Sequence, residues 1–500
     1  MISFMDSHRR TRNIWIGISF LLHLWAAYRT IGVWQADEHF QILEFAAYRL
    51  GFTPASSLAW EFGAEIRPGL QPFMLYVVSK WMQNLGIFQP FNVMILIRGL
   101  SALLGFLSQV FLCAVMQNQK SHKAWQATDM PWLYALFFLP LLDARFSSES
   151  VSGSFFTLGL ALLLWSCSSS LSKKYIPWLW AGAGVILSLA FFARFQVAFL
   201  IIGLLFYLLL NRVQPLSLWI YLFAGALLGV TFSLYCDVWL YGHFVFTPWN
   251  YFNVNLLQHK AAEFGVLPVW GYFELFATNH SGVGLVFCLV VFLFWFFFRW
   301  HVFTFVTVPF VLVHCLIGHK ETRFLFPMIH LLPIMLVEVA HRLPQFFYTQ
   351  KLRQTLLVFN CIVSVVISSV ALSFPLEATQ ILFEKRHVQE TFTVLLVEGP
   401  SPFFGSLSMA FYNPAHIKPQ KTTPNTVESD IKLLLAQQKA FFYMRSMRVA
   451  KLEPMPLIDS HCQLIYQSLP SWIAWFNVNH WLERTTQTQL LKCQPPVFVK

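Results

Sequence analysis

Charge is what this sequence has least of. Of its 500 residues only 11% are Asp, Glu, Lys or Arg, while 57% are hydrophobic and 17% aromatic; mean hydropathy is +0.57. So little polar surface excludes a soluble globule, and repeated apolar runs of membrane length make the chain an α-helical polytopic membrane protein. Metal motifs are missing as well: there is no Cys-x-x-Cys, no His-Glu-x-x-His, and no Asp-x-Asp in the first polar loop. Nothing therefore asks for a metal or other cofactor, although an acidic pair can bind a cation. The basic turn Gly318–Arg323 lacks the glycines and following Ser or Thr of a nucleotide loop. No fixed-period repeat and no low-complexity segment occurs. The net charge of +11 is spread in short groups between apolar runs, a placement that sets membrane topology and argues against nucleic acid as a partner. Six of the eight cysteines lie in or beside apolar runs; Cys462 and Cys493 lie in the polar tail. Those two can pair if the tail faces an oxidising compartment.

Arg9, Arg10 and Arg12 precede the first apolar run, so the positive-inside rule puts the N-terminus in the cytoplasm and the next loop across the membrane, in a periplasm or lumen. About 11 spans are expected: 14–34, 93–116, 131–142 extended at its N-terminal side, 151–170, 175–192, 195–210, 217–239, 281–299, 302–318, 324–341 and 354–374. Lys80 and Gln83 interrupt 70–87, which reads as an interfacial or half-inserted helix. With that count, Asp143–Glu149, Tyr241–Asn279 and His319–Arg323 share the face of the first loop. Such convergence suits a site, and solvated loops would look the same. Beyond Phe374-Pro375 the apolar pieces shorten to strand length, as in Phe392–Val397, Ala440–Tyr443 and Gln463–Tyr466. A transmembrane catalytic domain over 1–376 and a small extramembrane α/β domain over 377–500 follow.

The polar stretch Trp34–Leu70, with its core at 35–70, carries Asp37, Glu38, His39, Glu44, Glu61, Glu65 and Arg67. Asp37-Glu38-His39 opens a segment whose Phe40, Leu43, Ala47 and Leu50 recur at helical spacing. An acidic first turn explains such a pair, and so does a general base whose carboxylate is desolvated at an interface. His319, Lys320, Glu321 and Arg323 crowd one turn between apolar runs. Lys as a point charge and Arg as a fork suit a phosphate, and both also suit interfacial anchoring. Tyr241–Phe276 mixes aromatics with Asn, Gln and His, which fits a sugar or an interfacial belt. Asp143, Arg145 and Glu149 add a second polar rim, and Arg194 another phosphate contact.

Taken together these stretches resemble glycosyltransferase family 22, the dolichol-phosphate-mannose-dependent mannosyltransferases of GPI-anchor and N-glycan assembly. The likeness rests on Asp37-Glu38-His39, Gln41 with Glu44, Trp60-Glu61, Ile66-Arg67, and above all His319-Lys320-Glu321-Thr322-Arg323-Phe324. Asn255, Phe264-Gly265, Pro268 and Trp270-Gly271-Tyr272-Phe273, with Val394–Phe404, look closest to the branch that adds the third mannose of the GPI core. The resemblance implies a GT-C fold and an inverting transfer of mannose from a polyprenyl (dolichyl) phosphate donor to a lipid-linked glycan acceptor. It implies Asp37 as base with Glu38 beside it, His319, Lys320, Arg323 and Arg67 on the donor phosphate, and His39, Glu61, Asn255 and Glu321 on substrate. Ala36, Thr322 and Val269 depart from the family pattern and bear on the acceptor. The short basic N-terminus also fits a bacterial relative that makes no GPI anchor.

The competing class is a transporter or flippase of lipid-linked sugars. That class places paired charges and broken helices near the bilayer midplane and duplicates its halves, whereas the distinctive charges here lie at helix ends. Within the enzymes, transfer of another sugar, or to protein, is the alternative.

Overall fold

The computed structural model describes residues 2–118, 125–167, 171–212, 215–279, 283–343, 350–369, 374–384, 394–399, 401, 403, 409–412, 418–437, 440–452, 456–477 and 480–495. By contact the chain divides into two units. One comprises Met1–Arg29, Trp60–Gly86 and Val93–Ser369; the other comprises Thr30–Ala59, Ile87–Asn92 and Val370–Lys500. The first polar loop is thus shared: its acidic start belongs to the second unit and its Glu61–Arg67 end to the first.

The first unit is helical. Among the described residues, five helices are long and apolar enough to cross a membrane: Pro90–Gln117, Lys173–Ala193, Leu218–Tyr241, Thr322–Arg342 and Gln350–Ser369. Phe195–Leu210, Val283–Phe297 and Val302–Leu316 are shorter apolar helices, and Ser148–Trp165 is an 18-residue helix buried along most of its length. Segment 70–87 forms the helix Leu70–Asn84 of 15 residues, about 22 Å long and so shorter than a hydrocarbon core. Small residues let two of the long helices touch backbone to backbone. A methyl group added to Gly184 would fall on the Leu222 carbonyl, and one on Gly225 would fall on the Ala181 carbonyl, the close approach that apolar packing in lipid depends on.

The expected span 131–142 is not one helix. Met130–Tyr134 and Leu139–Ala144 are separate short helices, every residue of them buried. The gap between them holds because Asn360, on Gln350–Ser369, accepts from the Phe137 N–H at 2.9 Å and donates to the Ala135 carbonyl at 2.8 Å. One amide side chain thus pairs a donor and an acceptor of the broken backbone. Asp143, expected at a rim, is also elsewhere. It is buried, with His23 Nε2 at 3.0 Å and His330 Nε2 at 2.9 Å.

In the second unit, β1 (Gly32–Val33) pairs antiparallel with β2 (Phe374–Pro375). A five-stranded mixed sheet contains β3 (Val394–Glu398), β4 (Lys418–Thr422), β5 (Phe441–Arg448), β6 (Cys462–Gln467) and β7 (Thr486–Cys493), in the order β4-β3-β5-β7-β6. β3 runs parallel to β4 and β5, while β7 is antiparallel to β5 and β6. Both faces are covered where β3 and β5 read as apolar runs, Val394–Val397 and Phe441–Met444. Leu396, Phe441 and Tyr443 pack with Val427, Ile431 and Leu434 of the helix Val427–Ala436; Leu395, Val397, Phe442 and Met444 pack with Ala378 and Leu382 of Glu377–Glu384. Cys462 and Cys493 face each other across β6 and β7 and form a disulfide.

Candidate active site

In the first unit the site is built where helices end. Ser147 caps the helix Ser148–Trp165 by accepting from the Ser150 N–H, which leaves Glu149 in the first turn, favoured there by the helix dipole. Glu149 is 3% exposed, and its Oε1 accepts from Arg194 Nη1 at 2.9 Å; the same nitrogen donates to Ser148 Oγ at 3.0 Å. Arg194 stands at the end of the helix Ile176–Ala193. Arg323 opens the next wall, donating from Nε to Glu321 Oε2 at 2.7 Å and from Nη2 to Glu321 Oε1 at 2.9 Å, while its Nη1 lies 3.6 Å from Glu149. Both guanidinium groups lie over Phe324, at 5.0 and 5.5 Å from the ring centre. Two forks thus share one ring and two carboxylates, and the fork-to-fork geometry fixes the plane of Arg323.

His319 adjoins this cluster. Its Nε2 is 3.2 Å from Glu321 Oε1 and its Nδ1 is 3.1 Å from the Gly265 carbonyl. Phe264, whose ring is 6.0 Å from that of His319, stacks on Trp60 at 6.4 Å, and Lys260 lies over Trp60 at 5.4 Å. Lys320 points elsewhere. It is 5% exposed and its ammonium donates to the carbonyls of Leu267 at 3.1 Å and Ile317 at 2.5 Å, closing the end of the helix Val302–Leu316. Burial pulls its pKa below the ordinary lysine value. The Leu267 N–H donates to the Gly318 carbonyl at 2.9 Å, so the 265–268 segment and the basic turn are laced together by main chain and Lys320 alike.

The Glu61–Arg67 end of the first loop is held by a different set. Arg67 Nη2 lies 3.7 Å from Glu61 Oε1, and the Arg67 carbonyl accepts from Tyr241 Oη at 2.7 Å. Two residues on, the Gly69 N–H donates to Asp237 Oδ1 at 2.6 Å, and Thr247 Oγ1 donates to the other oxygen at 2.6 Å. Gly69 has to be glycine, since a β-carbon would fall on the Cys236 carbonyl. Glu65 sits at φ +53°, with its carbonyl accepting from Asn250 Nδ2 at 3.3 Å and its carboxylate 2.9 Å from His243. Asp237 escaped the sequence reading, though an acid inside the apolar run Leu218–Tyr241 is itself a signal. Asn255 bonds within its own turn, to the Tyr251 carbonyl at 3.1 Å, and no described contact joins it to the other site residues.

Asp37, Glu38 and His39 belong to the second unit. Asp37 and Glu38 form the short helix Ala36–Glu38 and are partly exposed, and Glu38 Oε2 accepts from the Trp34 N–H at 3.3 Å. His39 is fully buried and begins the π-helical turn His39–Leu43, which leads into the helix Glu44–Leu50. Its Nε2 is 2.7 Å from Glu44 Oε1. Thus His319, Glu321 and Arg323 stand together with Glu149 and Arg194, Glu61 stands with Arg67, and the acidic pair lies with His39 and Glu44. Among the described residues no three His, Cys, Asp or Glu side chains gather as a metal site.

The sequence profile described as the Alg9-like mannosyltransferase family matches residues 14–392. GPI mannosyltransferase 3 of Yarrowia lipolytica is 26% identical over 379 residues, 73% of this chain and 70% of that protein. GPI alpha-1,2-mannosyltransferase 3 of Xenopus laevis is 24% identical over 316 residues, and the match covers 60% of this chain and 54% of that relative. In three dimensions, ArnT from Cupriavidus metallidurans, crystallised with undecaprenyl phosphate, matches with a TM-score of 0.50 at 12% identity over 95% of this chain and 97% of that one. A likeness at that identity concerns the fold alone.

Proposed function

This chain belongs to the Alg9-like mannosyltransferase family and is a membrane glycosyltransferase, and from that premise we propose that it moves mannose, with inversion, from a polyprenyl-phosphate donor to a lipid-linked glycan. The observation that carries the reading is the pair of guanidinium groups on Phe324, with Arg323 held flat by two bonds to Glu321. A cation fixed in advance is what a leaving phosphate needs, because charge grows on it as the sugar departs and the protein then has no reorganisation to perform. That a solved protein of the same fold carries undecaprenyl phosphate supports the donor class. The relatives named GPI mannosyltransferases support a GPI precursor as acceptor, and the basic residues before the first apolar run support a reaction on the lumenal or periplasmic face.

In this mechanism the Asp37 carboxylate takes the proton of an acceptor hydroxyl as that oxygen attacks the anomeric carbon from the side opposite the phosphate. The bond from that carbon to the phosphate oxygen breaks, and the oxygen keeps the electron pair. Glu38 orients the base or the hydroxyl. Arg323, Arg194, His319 and Arg67 hold the departing phosphate, while Glu61 and Asn255 take sugar hydroxyls. Lys320 keeps the basic turn in shape from behind, through the Leu267 and Ile317 carbonyls.

The test is transfer by the purified full-length protein in liposomes, offered polyprenyl-phosphate mannose and a panel of lipid-linked acceptors, with Asp37→Asn alongside. The expected result is transfer by the wild type and a loss of at least ~100-fold in Asp37→Asn with donor binding retained. Equal transfer by both proteins, or none by the wild type to any acceptor, overturns the reading.

A further inference from the structure

The acidic pair is followed by a residue that has no business with solvent. His39 is completely buried, with both ring nitrogens interior and neither in an aligned hydrogen bond among the described residues. Three groups fix its ring. Glu44 Oε1 lies 2.7 Å from Nε2; Tyr412 stacks on it with centroids 5.6 Å apart and planes 21° apart; Phe40 meets it edge-on at 5.0 Å. The π-helical turn is what allows this, because the Glu44 N–H bonds to the His39 carbonyl and so stacks residue 44 beneath residue 39. A π turn inside a helix is a local irregularity that functional sites use.

Glu44 does a second thing: its Oε1 accepts from the Phe411 N–H at 3.0 Å. Ala410–Tyr412 is a short 3-10 turn whose Phe411 and Tyr412 are buried. Tyr412 packs in turn on Phe91 at 4.8 Å, and Phe91 meets Phe383 at 5.9 Å. Glu44 is 2% exposed, and a buried carboxylate this close to a ring nitrogen and a main-chain N–H is held by those partners rather than by water.

We propose that Glu44 and the Ala410–Tyr412 turn form a brace that sets the Asp37–Glu38 pair through His39, making residues from the last fifth of the chain positioning residues for transfer. This rests on the reading of Asp37 as the base. The brace touches neither donor nor acceptor; it fixes the residue next to the acids, and a small displacement of a reacting group costs rate rather than affinity.

The experiment measures kcat and donor KM for the full-length protein in liposomes with polyprenyl-phosphate mannose and the acceptor that the wild type uses. The variants are Glu44→Ala, Glu44→Gln, Tyr412→Ala, Tyr412→Phe and the double Glu44→Ala/Tyr412→Ala, each with a melting curve and with Asp37→Asn beside them. Expected are a fall in kcat of at least ~10-fold for Glu44→Ala and Tyr412→Ala with donor KM within about 2-fold. Recovery of most of the rate in Tyr412→Phe, which keeps the stacked ring, is expected, as is a double variant little worse than either single one, since the two act as a unit. If Glu44→Ala does not fold, folded Glu44→Gln carries the same expectation. Wild-type rates in folded Glu44 and Tyr412 variants, with Asp37→Asn inactive, overturn the brace and leave the base standing. Activity in Asp37→Asn overturns both.

Discussion

Arg323 and Lys320 are three residues apart in one turn, and the same positive charge does different work in each. Arg323 presents a planar fork to Glu321, a geometry an ammonium cannot reproduce. Arg323→Lys is therefore expected to lose ~100-fold or more in kcat with folding intact, read by transfer rate and melting temperature together. Lys320 is spent on two main-chain carbonyls, so Lys320→Met is expected to lower the melting temperature, through buried carbonyls that cost about 1–3 kcal/mol each when unpaired. Its titration has a definite sign. Burial depresses the folded-state pKa, so between that value and the ordinary lysine range the unfolded chain binds more protons, and Lys320 makes stability rise with pH there. A wild-type protein that gains stability over that range relative to Lys320→Met fits this sign; the opposite difference contradicts it. From the sequence alone His319, Lys320 and Arg323 looked alike as phosphate ligands. Spacing reveals that three cations share a turn, but it carries no information on which carbonyls lie behind them.

Apolar runs reveal helices well and their interruptions poorly. Pro90–Gln117, Leu218–Tyr241 and Gln350–Ser369 fall where hydropathy puts spans 93–116, 217–239 and 354–374. The run at 131–142 is as apolar as those and breaks all the same: Pro140 opens the second helix, and the backbone between the two pieces is paired by Asn360, more than 200 residues away. A window of sequence measures how oily a segment is, and it cannot see an amide arriving from another helix. Asn360→Leu is accordingly expected to destabilise the protein by about 2–4 kcal/mol, leaving the Phe137 N–H and the Ala135 carbonyl unpaired; unfolding followed in detergent measures it. Asp143 makes the same point. Its neighbourhood reads as a polar rim, but His23 and His330 reach its carboxylate from distant elements, and a buried charge with two partners is locally indistinguishable from an exposed one. The acidic first loop and the basic turn were legible because charge is scarce here, whereas the partners of Asp237 and Tyr412 were not, since Asp237 meets the Gly69 N–H and Tyr412 the His39 ring across long stretches of sequence.

For the molecule as a whole, the Cys462–Cys493 bridge ties the compartment to the fold. A link closing a loop of 31 residues is worth about 3–4 kcal/mol in the chain-entropy account. It persists only where the surroundings are oxidising. In cells, both thiols are expected to resist alkylation until reductant is added, and Cys462→Ser is expected to melt earlier; free, alkylated cysteines in the native protein contradict the proposed lumenal or periplasmic face. The pairing of Gly32–Val33 with Phe374–Pro375 has a further effect, on synthesis. The strand that opens the acidic loop leaves the ribosome about 340 residues before its partner, which at roughly 5–20 residues per second is a delay on the order of tens of seconds. His39 and Glu44 wait longer still for the turn at Ala410–Tyr412. A nascent chain stalled anywhere before that turn can have its helices in the bilayer and still hold an unfinished loop, so premature termination late in the message leaves a protein that is inserted and inert.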